Sequence, residues 1–260
     1  NMPWFDAGVN LLDRRFDAHE VVTRAVDAGV EKLCVITTHP NEWAAAEQLY
    51  SAFPQHICYT IGVHPHNAKV VREEDLRQLK IHAAKPGVVA IGECGLDFNR
   101  DFSPRPTQIA VFEAQLAIAK AMQLPVYLHE RDAFDAQRHS LNKFISHIPG
   151  GIAHCFTGDS EQLGEYLAMG LYIGITGWAC DEKRGEALRQ AIPHIPLENI
   201  ILETDAPYLF PKTLRPRKKN NEPAFLPHIG EKVSELMQVS PDKLRICSYA
   251  NTCRLFSLMS

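Results

Sequence analysis

Four side chains that can bind a divalent metal stand where short apolar runs of the sequence end. These side chains are Glu93, His129, His154 and Asp205. The apolar runs before them are too short for helices and have the length of buried strands. Two imidazoles and two carboxylates suit Mg²⁺, Mn²⁺ or Zn²⁺ and do not distinguish among these ions. Such a set therefore predicts a site for a divalent metal ion.

An alternation of apolar runs with helical spacing predicts the elements that must position these side chains. Helical spacing is seen, for example, in Trp43, Ala46 and Tyr50, which fall on one face. Two further helices are expected at 224–237 and 241–256, after the last strand. The strands are expected at 5–9, 32–37, 57–63, 88–98, 125–129, 151–154, 171–175 and 199–205.

Eight strands that alternate with helices, without a linker or low-complexity tract, are typical of an α/β fold with a single parallel (β/α)₈ TIM barrel. We therefore expect one domain over residues 1–260, closed by the two C-terminal helices. The active site of such a barrel lies at the C-terminal ends of the strands, so the four metal-binding side chains would point into one cavity. One histidine or carboxylate at a strand end is more often a hydrogen-bonded structural group, but four at equivalent positions favour a metal site.

Composition excludes several classes of protein. The chain is 45% hydrophobic and has a formal net charge of −4, which excludes a generally basic nucleic-acid coat but not a local basic patch. No apolar run has transmembrane length, and no basic segment followed by an apolar one opens the sequence. We therefore expect a cytoplasmic protein without membrane contact. The seven cysteines include no C-x-x-C pair and are expected to be reduced and buried.

Four motifs of the sequence resemble those of the TatD family of metal-dependent deoxyribonucleases. They are Gly-Val-His-Pro-His at 62–66, Ile-Gly-Glu-Cys-Gly-Leu-Asp at 91–97, His-Cys-Phe-Thr-Gly at 154–158 and Glu-Thr-Asp-Ala-Pro-Tyr-Leu at 203–209. The resemblance implies a TIM barrel of the amidohydrolase type that hydrolyses phosphodiester bonds. It further implies a 3′-5′ exonuclease on single-stranded DNA, or RNA, with Mg²⁺ as the usual activator and a role in DNA repair or degradation.

The resemblance also implies roles for the four metal-binding side chains. Glu93, His129 and His154 match positions that bind metal in the family, and Asp205 matches a residue that binds metal or activates water as a base. The family usually begins with Asp-x-His-x-His, where this chain has Asp-Ala-Gly-Val-Asn at 6–10. Loss of both histidines leaves open whether one or two ions bind, and it favours Mg²⁺ over Zn²⁺. We expect Asp6 to support the site and Asn10 to offer one neutral oxygen.

Phosphodiester hydrolysis needs further groups beside the metal ligands. We assign the catalytic roles to Asp205, which would orient or deprotonate water, to Glu93 and to His64. His64 would hold the scissile phosphate or protonate the leaving oxygen. His66 lies on the same expected rim and is a candidate for substrate binding, but a loop histidine bound to a backbone carbonyl is an equally open alternative.

Cations near the expected site are candidates for binding the substrate. Arg131 would face a phosphate, oriented by Asp132, although a plain surface ion pair is an equal alternative. A basic loop at 212–222 leaves the last expected strand, and phosphate contacts from such a loop fix register without reading sequence. Trp178, Tyr208 and Phe210 would either stack on unpaired bases or pack within the protein. The loop contributes four further candidates for substrate binding, Arg215, Arg217, Lys218 and Lys219.

Two rival functions are compatible with parts of this pattern. Barrels with a similar ligand plan hydrolyse small molecules, so a metal-dependent amidohydrolase is the alternative function. A non-catalytic nucleic-acid-binding protein would account for the lost histidines but not for the four retained ligands. The first rival would show no salt-dependent affinity for DNA, and the second would bind DNA in EDTA without cutting it. We expect a monomer that acts on single-stranded DNA, or RNA.

Overall fold

The computed structural model of the protein describes residues 2–259, so the two terminal residues of the expected 1–260 domain lie outside the described part. Its strands are β1 (Trp4–Val9), β2 (Val30–Val35), β3 (Ile57–Ile61), β4 (Val88–Asp97), β5 (Val126–Arg131), β6 (Gly151–Ala153), β7 (Tyr172–Ile175) and β8 (Ile200–Leu202). Its α-helices are α1 (Ala18–Asp27), α2 (Trp43–Ala52), α3 (Glu73–Ala83), α4 (Arg105–Met122), α5 (Phe134–Asn142), α6 (Ser160–Ala168), α7 (Glu186–Ala191), α8 (Leu226–Met237) and α9 (Pro241–Leu255).

The strands follow one another in chain order in one sheet, β1 through β8, as a (β/α)₈ barrel requires. The neighbour pairs β1–β2, β3–β4, β4–β5, β5–β6 and β7–β8 are parallel, and an α-helix separates each strand from the next. All eight expected strands are present. The two expected C-terminal helices are also present, as α8 and α9, and the second begins with Ser240 as its N-cap. The Ser240 hydroxyl accepts a hydrogen bond from the backbone N–H of Lys243.

Contacts divide the chain into two compact units. The central segment comprises residues 36–153, and the flanking segment comprises the residues before 36 together with those from 154 onward. The central segment contains β3 to β6, and the flanking segment contains β1, β2, β7 and β8. The expectation that the whole chain is a single domain stays a prediction.

Two buried glutamines on helices of the central segment form hydrogen bonds with the backbone just after β3 and within β4. Gln115 on α4 accepts from the N–H of Val63 at 2.9 Å and donates to the Val63 carbonyl at 3.1 Å. Gln137 on α5 accepts from the N–H of Leu96 at 2.8 Å. Both side chains are fully buried. Because an unpaired buried N–H or C=O is costly, these amides hold the chain just after β3 and within β4 in one conformation.

The last helix, α9, is tied to the strands of the flanking segment. The Asn251 amide donates to the carbonyls of Leu197 at 2.7 Å and Ile200 at 2.8 Å, at the start of β8. The ring of Tyr249 lies 5.6 Å from that of Phe5 on β1. Aromatic packing and satisfied carbonyls together explain why this helix has a fixed place beside β1 and β8.

Two expectations from composition can be compared with the structure. Five of the seven cysteines are buried, as expected, and Cys155 and Cys247 are partly exposed. Among residues 2–259, none of the helices combines the length and the apolar character needed to span a bilayer.

Gly95 on β4 generates a prediction about folding. Its φ is +147°, and a Cβ at this position would lie on the carbonyl oxygen of His129, its neighbour on β5. The Gly95→Ala change should therefore lower the free energy of unfolding by about 2–4 kcal/mol, as measured by urea denaturation. The matched control is Gly164→Ala on α6, where a Cβ meets nothing within 4 Å. This control should be neutral or stabilising by up to about 1 kcal/mol, and equal losses in both variants would contradict the prediction.

Candidate active site

A cluster of ligand atoms in the central segment has the composition of a metal site. His64, Glu93 and His129 each offer one ligand atom, and these atoms lie within 4.8 Å of one another. His129 Nδ1 is 3.0 Å from Glu93 Oε2, and His64 Nε2 is 3.8 Å from the same oxygen. Two imidazoles and a carboxylate on three separate strands or strand ends fit a divalent ion of mixed preference.

Backbone pairing positions the members of this cluster. Glu93 is 5% exposed on β4, and its N–H donates to the carbonyl of Thr37 at 3.0 Å. His129 lies on β5 opposite Gly95 of β4. His64 follows β3 and caps a short 3₁₀ helix at Pro65–Val70, where its Nδ1 accepts the N–H of His66 at 3.1 Å. Each side chain therefore projects from a backbone position that is already hydrogen-bonded.

Asp97 belongs to this cluster, although we did not select it from the sequence. Its Oδ2 lies 2.9 Å from His129 Nε2 and 3.2 Å from His66 Nε2, the second contact being poorly aligned for a hydrogen bond. Glu93 and Asp97 stand four positions apart on β4. Positions i and i+4 of a strand share a face. That spacing is the signal in the sequence that would have identified Asp97.

Both ring nitrogens of His129 face carboxylates, so each must donate and the ring is an imidazolium. Although burial opposes the charged form, hydrogen bonds to Asp97 and Glu93 raise the pKa of His129 to about 9. Burial likewise opposes ionised Asp97, but the His129 hydrogen bond lowers the pKa of Asp97 to about 2. In the metal-free protein, the raised pKa of His129 contributes stability that is complete below its ordinary value of 6.5 and is lost as the pH rises through about 9.

His64 is neutral and has a defined tautomer. Burial, followed by the charge of His129, lowers the pKa of His64 to about 3. Since its Nδ1 accepts the N–H of His66, the single ring proton lies on Nε2, the atom that faces Glu93. In this tautomer His64 is a hydrogen-bond donor toward the cluster, whereas a metal would need the lone pair of Nε2.

A second histidine–carboxylate arrangement lies in the flanking segment. His154 follows β6, and its Nδ1 is 2.7 Å from Glu203 Oε1, while the N–H of Cys155 donates to Glu203 Oε2 at 2.9 Å. His154 Nε2 lies 3.7 Å from Asp205 Oδ1. Glu203 is fully buried and orients the ring, as a carboxylate does behind many metal-binding histidines. Glu203 was not predicted as a site residue, although it stands two residues before Asp205 in the Glu-Thr-Asp motif.

Asp205 lies beyond β8, which ends at Leu202 and not at 205 as expected. Its φ is +54°, and its carboxylate accepts from Asn10 Nδ2 at 3.0 Å. The same amide nitrogen also faces the carbonyls of Asp205 and Ala206. Asn10 therefore presents its nitrogen here and not the oxygen that we expected, because the atoms around it are acceptors.

Asp6 supports this region from β1, as expected. Its carboxylate accepts from Thr204 Oγ1 at 2.5 Å, from the Thr204 N–H at 2.9 Å and from the Gly8 N–H at 3.1 Å. Burial raises the pKa of Asp6 to about 7, even though these hydrogen bonds favour the ionised form. Thr204 immediately precedes Asp205, so Asp6 fixes the backbone that carries that side chain.

The structure thus groups the four expected metal ligands in pairs. Glu93 and His129 lie together in the central segment, and His154 and Asp205 lie together in the flanking segment. Convergence of all four on one metal stays a prediction.

Arg131 is exposed at the end of β5. Asp132, the expected partner of Arg131, accepts a hydrogen bond from Asn99 at 2.8 Å.

A cationic cavity of about 310 Å³ lies in the flanking segment. Asp181 accepts from Arg184 at 2.9 Å and pairs with Lys212 at 3.2 Å, and the Arg184 guanidinium lies 4.4 Å from the Trp178 ring centroid. Arg217 and Lys218 add two more positive charges to the lining. Four cations against one carboxylate suit an anionic ligand. Two other candidates from the basic loop, Arg215 and Lys219, are exposed.

Comparison with known proteins places this architecture among nucleases. The family model of TatD-related DNases matches residues 5–257. A protein from Yersinia pseudotuberculosis, named 3′-5′ ssDNA/RNA exonuclease TatD, is 46% identical, with 98% of this chain and 100% of the relative covered. A protein of the same name from Citrobacter rodentium is also 46% identical, with 98% of each chain covered.

Solved structures agree with the fold. The crystal structure of a TatD homologue from Escherichia coli is similar, with a TM-score of 0.90, 27% identity and 98% of each chain covered. A TatD-family hydrolase from Entamoeba histolytica has a TM-score of 0.89 at 24% identity, with 98% of each chain covered. The expected (β/α)₈ fold class and the family resemblance are therefore both confirmed.

The charged state of His129 predicts that metal binding releases a proton. At pH 7 the ring must lose a proton before it can bind an ion, so affinity should rise about tenfold per pH unit up to about pH 9. Calorimetry of Mn²⁺ binding in buffers of different ionisation enthalpy should report about one released proton. Asp97→Asn should lower the pKa of His129 and reduce this release.

The matched control for Asp97→Asn is Asp135→Asn, which alters a carboxylate on α5 that is 93% exposed. This control should leave proton release unchanged. Binding without proton release in the wild-type protein would contradict the assignment of His129 as a ligand.

Proposed function

Because the chain belongs to the family of TatD-related DNases, we propose that it is a metal-dependent exonuclease that shortens single-stranded DNA or RNA from the 3′ end. The observation that carries this proposal is the contact between Glu93 on β4 and His129 on β5, 3.0 Å apart, in a chain 46% identical to relatives named as such exonucleases. Coverage of nearly the full length of both chains supports the transfer of this activity.

We propose that the metal is Mg²⁺, held by Glu93 and His129, with His154 and Asp205 added to the set by the family resemblance. Two histidines of the usual family motif are replaced by Gly8 and Asn10, which reduces the nitrogen ligands and favours Mg²⁺ over Zn²⁺. When bound, such an ion polarises a phosphoryl oxygen and lowers the pKa of water. One or two ions are compatible with these residues.

Asp205 is the proposed base. Asn10 donates to its Oδ1 and Asp6 holds the preceding Thr204, so the carboxylate has a fixed orientation. The carboxylate takes the proton of the attacking water. His154, oriented by Glu203, lies 3.7 Å from the same carboxylate. Fixed orientation matters because general-base catalysis requires a hydrogen bond to the water in the reacting complex.

His64 is the proposed donor to the scissile phosphate. It is neutral and carries its proton on Nε2, which favours a hydrogen bond to a phosphate oxygen over complete transfer of a proton to the leaving group. His66 lies against His64, with ring centroids 4.5 Å apart, and its N–H fixes the tautomer of His64. The pair therefore acts as a unit in substrate binding.

The cationic cavity and the exposed basic loop are the proposed binding surface for the strand. Arg217 and Lys218 line the cavity, while Arg215, Lys219 and Arg131 are exposed cations available to further phosphates. Phosphate contacts carry no sequence information, which suits an enzyme that degrades any sequence. A cationic cavity also favours a polyanion over the small neutral substrate of an amidohydrolase.

We propose in addition a cytoplasmic location, a monomeric state and a role in DNA repair or degradation, each resting on the sequence alone.

Digestion of single-stranded DNA with a 5′ label tests the activity. With Mg²⁺ the label should remain on a ladder that shortens from the 3′ end, with Mn²⁺ and Zn²⁺ compared and EDTA abolishing cleavage. Glu93→Ala and Asp205→Asn should each lower the rate by at least about 100-fold. The control Glu74→Ala, an exposed carboxylate on α3 paired with Arg77, should cut at the wild-type rate. No cleavage by the wild type with any metal would refute the proposal.

Salt dependence of binding tests the cationic surface. Removing two phosphate contacts in the Arg217→Ala, Lys218→Ala double variant should reduce the slope of log affinity against log salt by about 1.4 for a single strand. Fluorescence anisotropy of a labelled oligonucleotide in EDTA measures this slope without cleavage. Arg77→Ala, Lys80→Ala on α3 is a control of equal charge change that should keep the wild-type slope. Equal effects of the two double variants would show that only net charge matters.

A further inference from the structure

Phe102 is a large exposed aromatic side chain beside the central cluster. Its ring is 45% exposed and meets the His66 ring edge-on, with centroids 4.7 Å apart and an interplanar angle of 88°. The Arg100 guanidinium lies 5.4 Å from the Phe102 ring centroid. Single exposed apolar side chains are common, so exposure alone assigns no role. Phe102 is distinguished by the contact of its ring with His66, a histidine of the site.

Hydrogen bonds hold the backbone on both sides of Phe102. Ser103 Oγ donates to the His66 carbonyl at 3.1 Å and accepts from the Lys69 N–H at 3.0 Å. Gln108 on α4 donates to the Asp97 and Ser103 carbonyls at 3.0 and 2.9 Å. Ser103 and Gln108 are both buried. The exposed ring therefore stands on a fixed loop, and a fixed ring loses little entropy when a ligand covers it.

The spacing of rings connects Phe102 to the reacting centre. The His66 ring centroid lies 4.5 Å from that of His64 and 6.4 Å from that of His129. One aromatic ring thus separates Phe102 from the residues assigned to the scissile phosphate and the metal. In a nucleotide, one sugar separates the base from its phosphate. A phosphate at His64 would bring the base of the adjoining nucleotide into reach of Phe102.

We propose that Phe102 is the stacking surface for the base of the 3′-terminal nucleotide, the one that each cut removes. This inference rests on the proposed function. Every base has a π-face, so stacking on Phe102 tolerates all sequences and needs no contact with the sugar 2′ position. An unpaired terminal base can turn to lie on the ring, whereas pairing fixes the orientation of a terminal base within a duplex. Arg100 supplies a cation next to the stacked nucleotide and its phosphate.

The test compares Phe102→Ala and Phe102→Trp on three single-stranded oligonucleotides. One is intact, one has an abasic site at the 3′-terminal position, and one has it at the penultimate position. KM and kcat for removal of the terminal nucleotide are measured with Mg²⁺. Phe102→Ala should raise KM roughly tenfold to hundredfold on the intact strand. The same variant should leave KM unchanged on the terminally abasic strand. Phe102→Trp should have the wild-type KM. Ile246→Ala, a control with the same 45% exposure on α9, should behave as wild type.

Every other outcome would overturn the stacking role, the assignment to the terminal nucleotide or the proposed function. A loss with Phe102→Ala that is equal on intact and terminally abasic strands would overturn the stacking role. Coupling of Phe102 to the penultimate base alone would overturn the assignment to the terminal nucleotide. Wild-type cleavage without any effect of Phe102→Ala would overturn the inference and leave the proposed function standing. Failure of the wild type to cut any of the three strands would overturn the proposed function and, with it, this inference.

Discussion

The imidazolium of His129, held between the carboxylates of Glu93 and Asp97, is the interaction on which the site depends. Both carboxylates come from β4 and the ring comes from β5, so the pair of strands must keep its register for the three groups to meet. Gly95 makes that register possible, because any side chain there would collide with the backbone of His129. The single imidazolium offsets only one of the two carboxylate charges, so a net negative charge remains that favours a cation.

The two segments use histidine and carboxylate in different ways. In the central segment both nitrogens of His129 are occupied, which yields a charged ring. In the flanking segment Glu203 binds one nitrogen of His154 and leaves the other toward Asp205. In the proposed site, His129 loses a proton when it binds the metal, whereas Glu203 already fixes the orientation of the His154 ring. In each arrangement one carboxylate also accepts a backbone N–H, Asp97 from Asn99 and Glu203 from Cys155, so these two carboxylates have fixed orientations before substrate binds.

Two features of the surface account for the proposed binding of the nucleic-acid strand. In the proposed function the cavity lined by Arg217 and Lys218 binds phosphates, and Phe102 offers a flat apolar face to a base. Neither feature reads the edge of a base, where sequence information lies. A protein with such contacts distinguishes unpaired from paired ends more strongly than one sequence from another. This preference suits an enzyme that removes nucleotides one after another from strands of any sequence.

The sequence by itself determined the order of strands and helices and the two C-terminal helices, and it singled out Glu93, His129, His154 and Asp205. These are local properties, since apolar period and strand length are visible within a few residues. The placement of these four side chains at strand ends was only approximate, because Glu93 and His129 lie within β4 and β5 and Asp205 lies beyond β8. Tertiary structure decided which groups meet those side chains. Glu203 joins His154 across 49 positions and Asp97 joins His129 across 32, and the local patterns that single out Glu203 and Asp97 do not indicate these partners. Protonation states were decided there too, because burial and neighbouring charges set the pKa of His64 and of His129, and a linear chain specifies neither.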